Sequence, residues 1–310
     1  MRGAAGVLAA LITALMATIP GHADVPLMLP DLRPAPLGCP GGYAGDPLRC
    51  TDWGVCMVRE DTASDCVDSG PIKEVRLRFT TSEENVGNGP LLLYGHRNGT
   101  YQITMDVRQA FQVGAHGPIP DSYPAAQRGV DEAMYYDLVK QHWHVLNFDR
   151  MELRKPGGDT VTGDHQNGFC LGDHYTIPDA SSLPQNASKD GTPESKLAAY
   201  LSSNPFCKYS DSSTLVAKEG ISVGRGDDNS YNAAFRWLDI THVPSGTYVV
   251  VNTVNSDRTL LETNYDNNSS AIAISLQWPG KAHDPPTVIT APPVVKLLNS
   301  CPGHAQCPAN

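Results

Sequence analysis

Two histidines separated by one residue, His142 and His144, carry the sharpest chemical signal in this 310-residue chain. In a strand, residues i and i+2 point to the same face. The run Gln141-His142-Trp143-His144 would therefore present two imidazoles side by side. That is a common way to hold a transition metal, and imidazole suits copper, zinc, iron and nickel. Two histidines on a wet strand face are the plainer alternative. His165 and His174 flank a second segment, and either would complete a metal site if the fold brings it close. Taken alone, each reads as a structural or surface histidine. A third stretch, 220–241, begins with glycines but has no P-loop lysine and no clear helix after them, which sets a phosphate loop aside. Its Arg225-Gly226-Asp227 spells an adhesion tripeptide, a match short enough to arise by chance. The carboxylates show no diagnostic pairing.

The elements that must position these residues read as short strands. Glu74 to Thr81 alternates, with Val75, Leu77 and Phe79 on one face. Pro90 to Tyr94 and Tyr101 to Val107 flank Asn98-Gly99, a hairpin signal because both residues tolerate positive φ. Trp143 to Leu153, Gly246 to Val254 and Ala271 to Trp278 complete the set. Helix is expected only in pieces, at Val130 to Leu138 and Pro193 to Leu201. With 25 prolines and 28 glycines spread throughout, the pattern predicts a mainly β sandwich or barrel with long loops and few short helices. Residues 279–310 are proline-rich without alternation and read as a surface tail clipped by Cys301 and Cys307.

The N-terminus predicts export. Arg2 precedes an apolar run at residues 4–19, a Pro20-Gly21 break and a Gly21-His22-Ala23 cleavage site. That is the layout of a signal peptide over residues 1–23. The run is short for a bilayer span, and the mature chain holds no other candidate membrane span. Eight cysteines, none in the leader, are expected to pair in an oxidising compartment. The four between Cys39 and Cys66 should pair among themselves, Cys170 with Cys207 and Cys301 with Cys307. No C-x-x-C pair supports a zinc site instead. The formal charge of -10, without a basic stripe, argues against a nucleic-acid partner. Asn98, Asn186 and Asn268 begin glycosylation sequons.

Taken in order, these segments resemble the lysyl oxidase family. The resemblance begins at Leu29-Pro30-Asp31-Leu32 and runs through Leu77-Arg78-Phe79 and Asn85-Val86-Gly87. It continues through His142-Trp143-His144, Phe148 and Glu152-Leu153, then His165, Phe169-Cys170-Leu171 and Asp173. It is best at Trp237-Leu238-Asp239-Ile240-Thr241, Gly246-Thr247-Tyr248, Glu262 and Asn267-Asn268. It spans roughly residues 29–278, within an expected domain of residues 24–278. The resemblance implies a secreted β-sandwich holding one copper ion through three histidines spaced H-x-H-x-H. It implies a quinone built from a lysine and a tyrosine, and oxidation of primary amines, typically peptidyl lysine, to aldehydes with oxygen.

Carried over residue by residue, the second and third copper histidines fall on His142 and His144, and the first falls on Lys140. The cofactor lysine falls on Gln166 and the cofactor tyrosine on Asn229. Tyr231, two residues on, substitutes only if its loop is rearranged. The sequence therefore predicts a secreted or cell-envelope lysyl oxidase-like protein that binds copper through His142, His144 and His165. Its expected partners are lysine-rich proteins or primary amines. The quinone is not expected from Gln166 and Asn229, leaving Tyr231 as the only catalytic candidate. The alternative is a catalytically inactive extracellular β-sandwich with a binding or structural role.

Overall fold

A computed structural model describes residues 26–59, 65–163, 168–187, 190–203, 207–232 and 236–309. The expected signal peptide, residues 1–23, lies outside the described residues. The chain is mainly β, and among the described residues all strand pairings are antiparallel. One five-stranded sheet, here the histidine sheet, runs in the order His142–Val145, Arg128–Asp137, Thr104–Gln109, Leu91–His96, Val216–Ile221. A second five-stranded sheet runs Thr160–Gly163, Asp149–Arg154, Gly246–Val254, Ser269–Gln277, Val294–Pro302. A four-stranded sheet joins Tyr175–Thr176, Arg225–Asn229, Thr81–Asn85 and Leu32–Pro34. A three-stranded sheet joins Leu238–Asp239, Glu74–Phe79 and Trp53–Val58.

Alternation explains the first of these strands. Val75, Leu77 and Phe79 point into a core shared with Val250, Ile272 and Ile274 of the second five-stranded sheet. Gly246–Val254 reads as an unbroken apolar run because both its faces are covered. Tyr248 and Val250 enter that core, and Val249 and Val251 enter a smaller cluster beneath the Cys301–Cys307 bridge. A separate core under the histidine sheet gathers Leu91, Leu93, Met105, Met134, Trp143 and Val145.

Several motifs behind the resemblance act as clasps. Asp239 accepts the Thr241 N–H at 2.9 Å, and the Thr241 hydroxyl accepts the Val75 N–H at 2.8 Å. This fastens the Trp237–Thr241 segment to its neighbouring strand. Glu262 accepts from the Leu32 N–H at 2.9 Å and from the side-chain amides of Asn255 and Asn268 at 2.5 and 2.6 Å. Asn268, buried and committed to this clasp, is unsuited to glycosylation.

The cysteines pair as expected: Cys39–Cys50, Cys56–Cys66, Cys170–Cys207 and Cys301–Cys307. The helix expected from Pro193 is present as Pro193–Ser203. Two expectations need correction. Val130 to Leu138 is not helical: all but Leu138, in the turn that follows, lies in the strand Arg128–Asp137. That strand is hydrogen-bonded on both sides, and the pairing overrides the helical preference of Glu132-Ala133-Met134. A register shift opposite Asp106 and Arg108 also breaks the period-2 pattern that would have revealed it. Residues 279–310 are not only a surface tail. Val294–Pro302 is the edge strand of the second five-stranded sheet, and a bulge opposite Ala273 and Ile274 hides its alternation.

Candidate metal centre

His142–Val145 lies at an edge of the histidine sheet, with His142 opposite Asp137 and His144 opposite Tyr135. The pleat sends Trp143 and Val145 into the core and leaves both imidazoles on the other face. Their ring centroids are 4.5 Å apart, tilted by 47°. The Tyr135 ring meets His144 edge-on, with its hydroxyl 3.4 Å from His144 Nδ1. Asp137 Oδ2 lies 3.9 Å from the same nitrogen.

His142 Nδ1 is buried without a hydrogen-bond partner. An orphaned buried polar atom costs about 1–3 kcal/mol, so an unpaired nitrogen here suits a ligand. Burial, aided by the charge of Lys140, lowers the His142 pKa to about 4. The imidazole is thus neutral near pH 7, the form that binds metal. Lys140, at the position of the first copper histidine, is itself lowered by burial.

Two further segments are pinned against this strand. The Trp143 N–H donates to the Cys207 carbonyl at 3.0 Å, and Val145 exchanges hydrogen bonds with Phe169. Gly168, at φ +79°, stands where a Cβ would fall 2.4 Å from the Val145 carbonyl oxygen, so only glycine fits. The Cys170–Cys207 bridge joins the two segments.

His165, like Gln166, falls outside the described residues. His174 is engaged with the Arg225–Asn229 strand: its Nδ1 accepts the Asp228 N–H at 3.1 Å and sits 3.2 Å from Asp227 Oδ1. Tyr231 gives its N–H to Thr80 Oγ1, and its ring packs over Gly54 beside the three-stranded sheet. Asn229, at the cofactor-tyrosine position, donates its side-chain amide to Asp227 Oδ2 at 3.1 Å. Among the described residues, no three His, Cys, Asp or Glu side chains are placed to hold a metal ion.

A buried ionic network went unread in the sequence. Arg236 donates to Asp149 at 2.7 Å, to Asn252 at 2.9 Å and to Thr81 at 2.5 Å. Asn252 donates to Glu83 at 3.1 Å, and Glu83 feels the charge of Asp149. Burial raises Glu83 well above the usual carboxylate range, with the charge of Asp149 adding to it. Asp227, buried among these residues, rules out the adhesion reading of Arg225-Gly226-Asp227.

Burial also pushes Asp173 and Asp227 up to about 6 and Glu262 to about 7. Each of these acids holds its proton more tightly when folded than when unfolded. Their contribution to stability is therefore full below their unfolded values of 3.8–4.5 and is lost as the pH rises from there through 6–7. Each tenfold change in proton affinity is about 1.4 kcal/mol, so Asp227 alone accounts for about 3 kcal/mol. The midpoint of thermal unfolding is expected to be several degrees higher at pH 5 than at pH 7.5. A calorimetric pH series checks this, and a midpoint rising steadily from pH 5 to 7.5 would refute it.

The family model for lysyl oxidase matches residues 203–282. This span includes Tyr231, Arg236, the Trp237–Thr241 clasp and Glu262. No curated protein matches the chain.

Proposed function

From a chain related to the lysyl oxidase family, we propose an extracellular lysyl oxidase-like protein that keeps a metal-binding histidine pair but does not build the quinone. Four disulfides fit an oxidising compartment. Among the described residues, no helix is long and apolar enough to cross a membrane.

The observation that carries the metal reading is the adjacent imidazoles, 4.5 Å apart, with a buried, unpartnered nitrogen on His142. Two nitrogen donors on one strand fit copper as part of its ligand set. His142 and His144 would hold the ion, with His165 as the third donor. Copper so held supplies redox chemistry. The strand fixes the direction of both rings, Trp143 anchors it from the opposite face, and burial keeps His142 unprotonated.

The residues do not fit the quinone. An amide stands at Asn229 and another at Gln166, and neither side chain supplies the phenol or the amine that the cross-link requires. Tyr231, packed over Gly54, belongs to a different sheet edge. No oxidative step is derived through that group. We propose instead that the protein acts by binding, with lysine-rich proteins or primary amines as partners suited to its acidic balance.

Metal counting tests the reading. The mature protein, offered copper and zinc and cleared of excess, is expected to retain about one copper per chain. The His142→Ala/His144→Ala variant should retain none. Equal metal in both proteins would sink the proposal. Restoring the family's first ligand with Lys140→His should tighten copper at least tenfold in a chelator competition. Unchanged affinity would place the ion away from this strand.

A further inference from the structure

On the outer face of the histidine sheet, lined by residues of the strands Thr104–Gln109 and Arg128–Asp137, lies an open cavity of about 430 Å³. It is the size of a small-ligand site. The register shift makes it: Asp106 pairs with Ala133 but Arg108 pairs with Gly129, so the intervening residues Val130–Glu132 exceed their partners. Bulges of this kind re-aim side chains next to functional sites. This one brings Asp131 and Glu132 to line the cavity with Asp106, Arg108 and the ring of Tyr123.

Two buried polar atoms here lack partners. Glu132 is 8 % exposed; its Oε1 accepts the Thr259 hydroxyl at 2.6 Å, but its Oε2 has no partner. Arg108 Nε is also buried without one. Among the described residues Arg108 makes no ion pair, and its guanidinium lies 5.6 Å from the Tyr123 ring centroid. An anion alone would meet three carboxyl groups. A cation alone would leave Arg108 unmatched. A ligand with both charges satisfies both poles.

We propose that this cavity binds a free basic α-amino acid, its carboxylate on Arg108 and its ammonium groups on Asp106, Asp131 and Glu132, with Tyr123 as a wall. The three acids against one guanidinium favour a ligand with net positive charge. Burial, together with Asp257 and Asp131, lifts Glu132 to about 7, and a bound ammonium would offset that penalty. The site is separate from the histidine pair and does not rest on the metal reading.

Isothermal titration of the disulfide-intact protein tests it, with L-lysine as the probe. Cadaverine, which lacks the carboxylate, and acetate, which lacks the amine, are the comparisons. One saturable L-lysine site is expected, with both comparisons at least tenfold weaker. Arg108→Gln and Glu132→Gln should each weaken L-lysine at least tenfold while thermal unfolding shows a folded chain. If Glu132→Gln fails to fold, Asp131→Asn, at an exposed position, takes its place with the same expected direction. No saturable heat would overturn the proposal, as would L-lysine binding that the folded variants leave unchanged.

Discussion

Arg236→Met is expected to be the most damaging single substitution in the protein, costing about 3–5 kcal/mol. Arg236 is the cation at the centre of the buried network, donating to Asp149, Asn252 and Thr81. Asp149 is wholly buried, and its charge acts on the buried Glu83, which also feels Asp227. Methionine fills similar volume but supplies neither donors nor charge. Asp149 would then be an uncompensated buried carboxylate, a case in which desolvation dominates. For a domain of this size the thermal midpoint should fall on the order of 10 °C. Adding Asp149→Asn removes the stranded charge and should recover at least half the loss. A double-mutant cycle by denaturant unfolding measures this coupling. If the two losses simply add, the pair is not energetically linked and the network account fails.

Removing the Cys170–Cys207 bridge comes second. It closes a separation of 37 residues. Loop entropy alone makes that worth about 4 kcal/mol. The bridge also pins the segments that flank the histidine strand, because the Trp143 N–H bonds the Cys207 carbonyl and Val145 bonds Phe169. Cys170→Ser/Cys207→Ser should therefore lose stability and also weaken copper binding severalfold. The Cys301–Cys307 bridge is the control. Its separation is only 6 residues and it lies at the end of the second sheet. Its removal should cost about 2 kcal/mol and leave copper affinity unchanged. Equal metal binding in both double variants would separate the bridge from the site.

The strands with clean alternation were legible in the sequence, and so was the disulfide framework. Glu74–Phe79 and Gly246–Val254 announced themselves through Val75, Leu77 and Phe79 and through the Tyr248–Val251 run. Thr81–Asn85 did not. Its five residues, Thr-Ser-Glu-Glu-Asn, are all buried, yet none is apolar. Hydrophobic periodicity is silent about a strand whose interior is a hydrogen-bond network. The same silence hid Arg236, Asp149 and Asn252, which are far apart in the chain and meet only through sheet pairing. A run of consecutive polar residues directly after a strong strand was the one available signal.

Of the candidate site, His142 and His144 were readable because i, i+2 geometry is local to one strand. The expected third donor, His165, belongs to a different segment and falls outside the described residues. His174, an equal candidate by sequence, turns out to be engaged with Asp227 and Asp228. The strand Arg128–Asp137 was misread because its register shift scrambles the pattern, and that same irregularity shapes the cavity at Asp106, Arg108 and Glu132.

A lysyl oxidase-like chain that holds metal without making a quinone keeps an unmodified Tyr231. Intact-mass spectrometry of the copper-loaded, aerated protein tests it most directly, alongside labelling with phenylhydrazine. The expected result is the mass of the mature sequence less two hydrogens for each of the four disulfides, with no hydrazone formed. An oxygen-bearing, cross-linked tyrosine that takes up phenylhydrazine would contradict it and make the protein an oxidase.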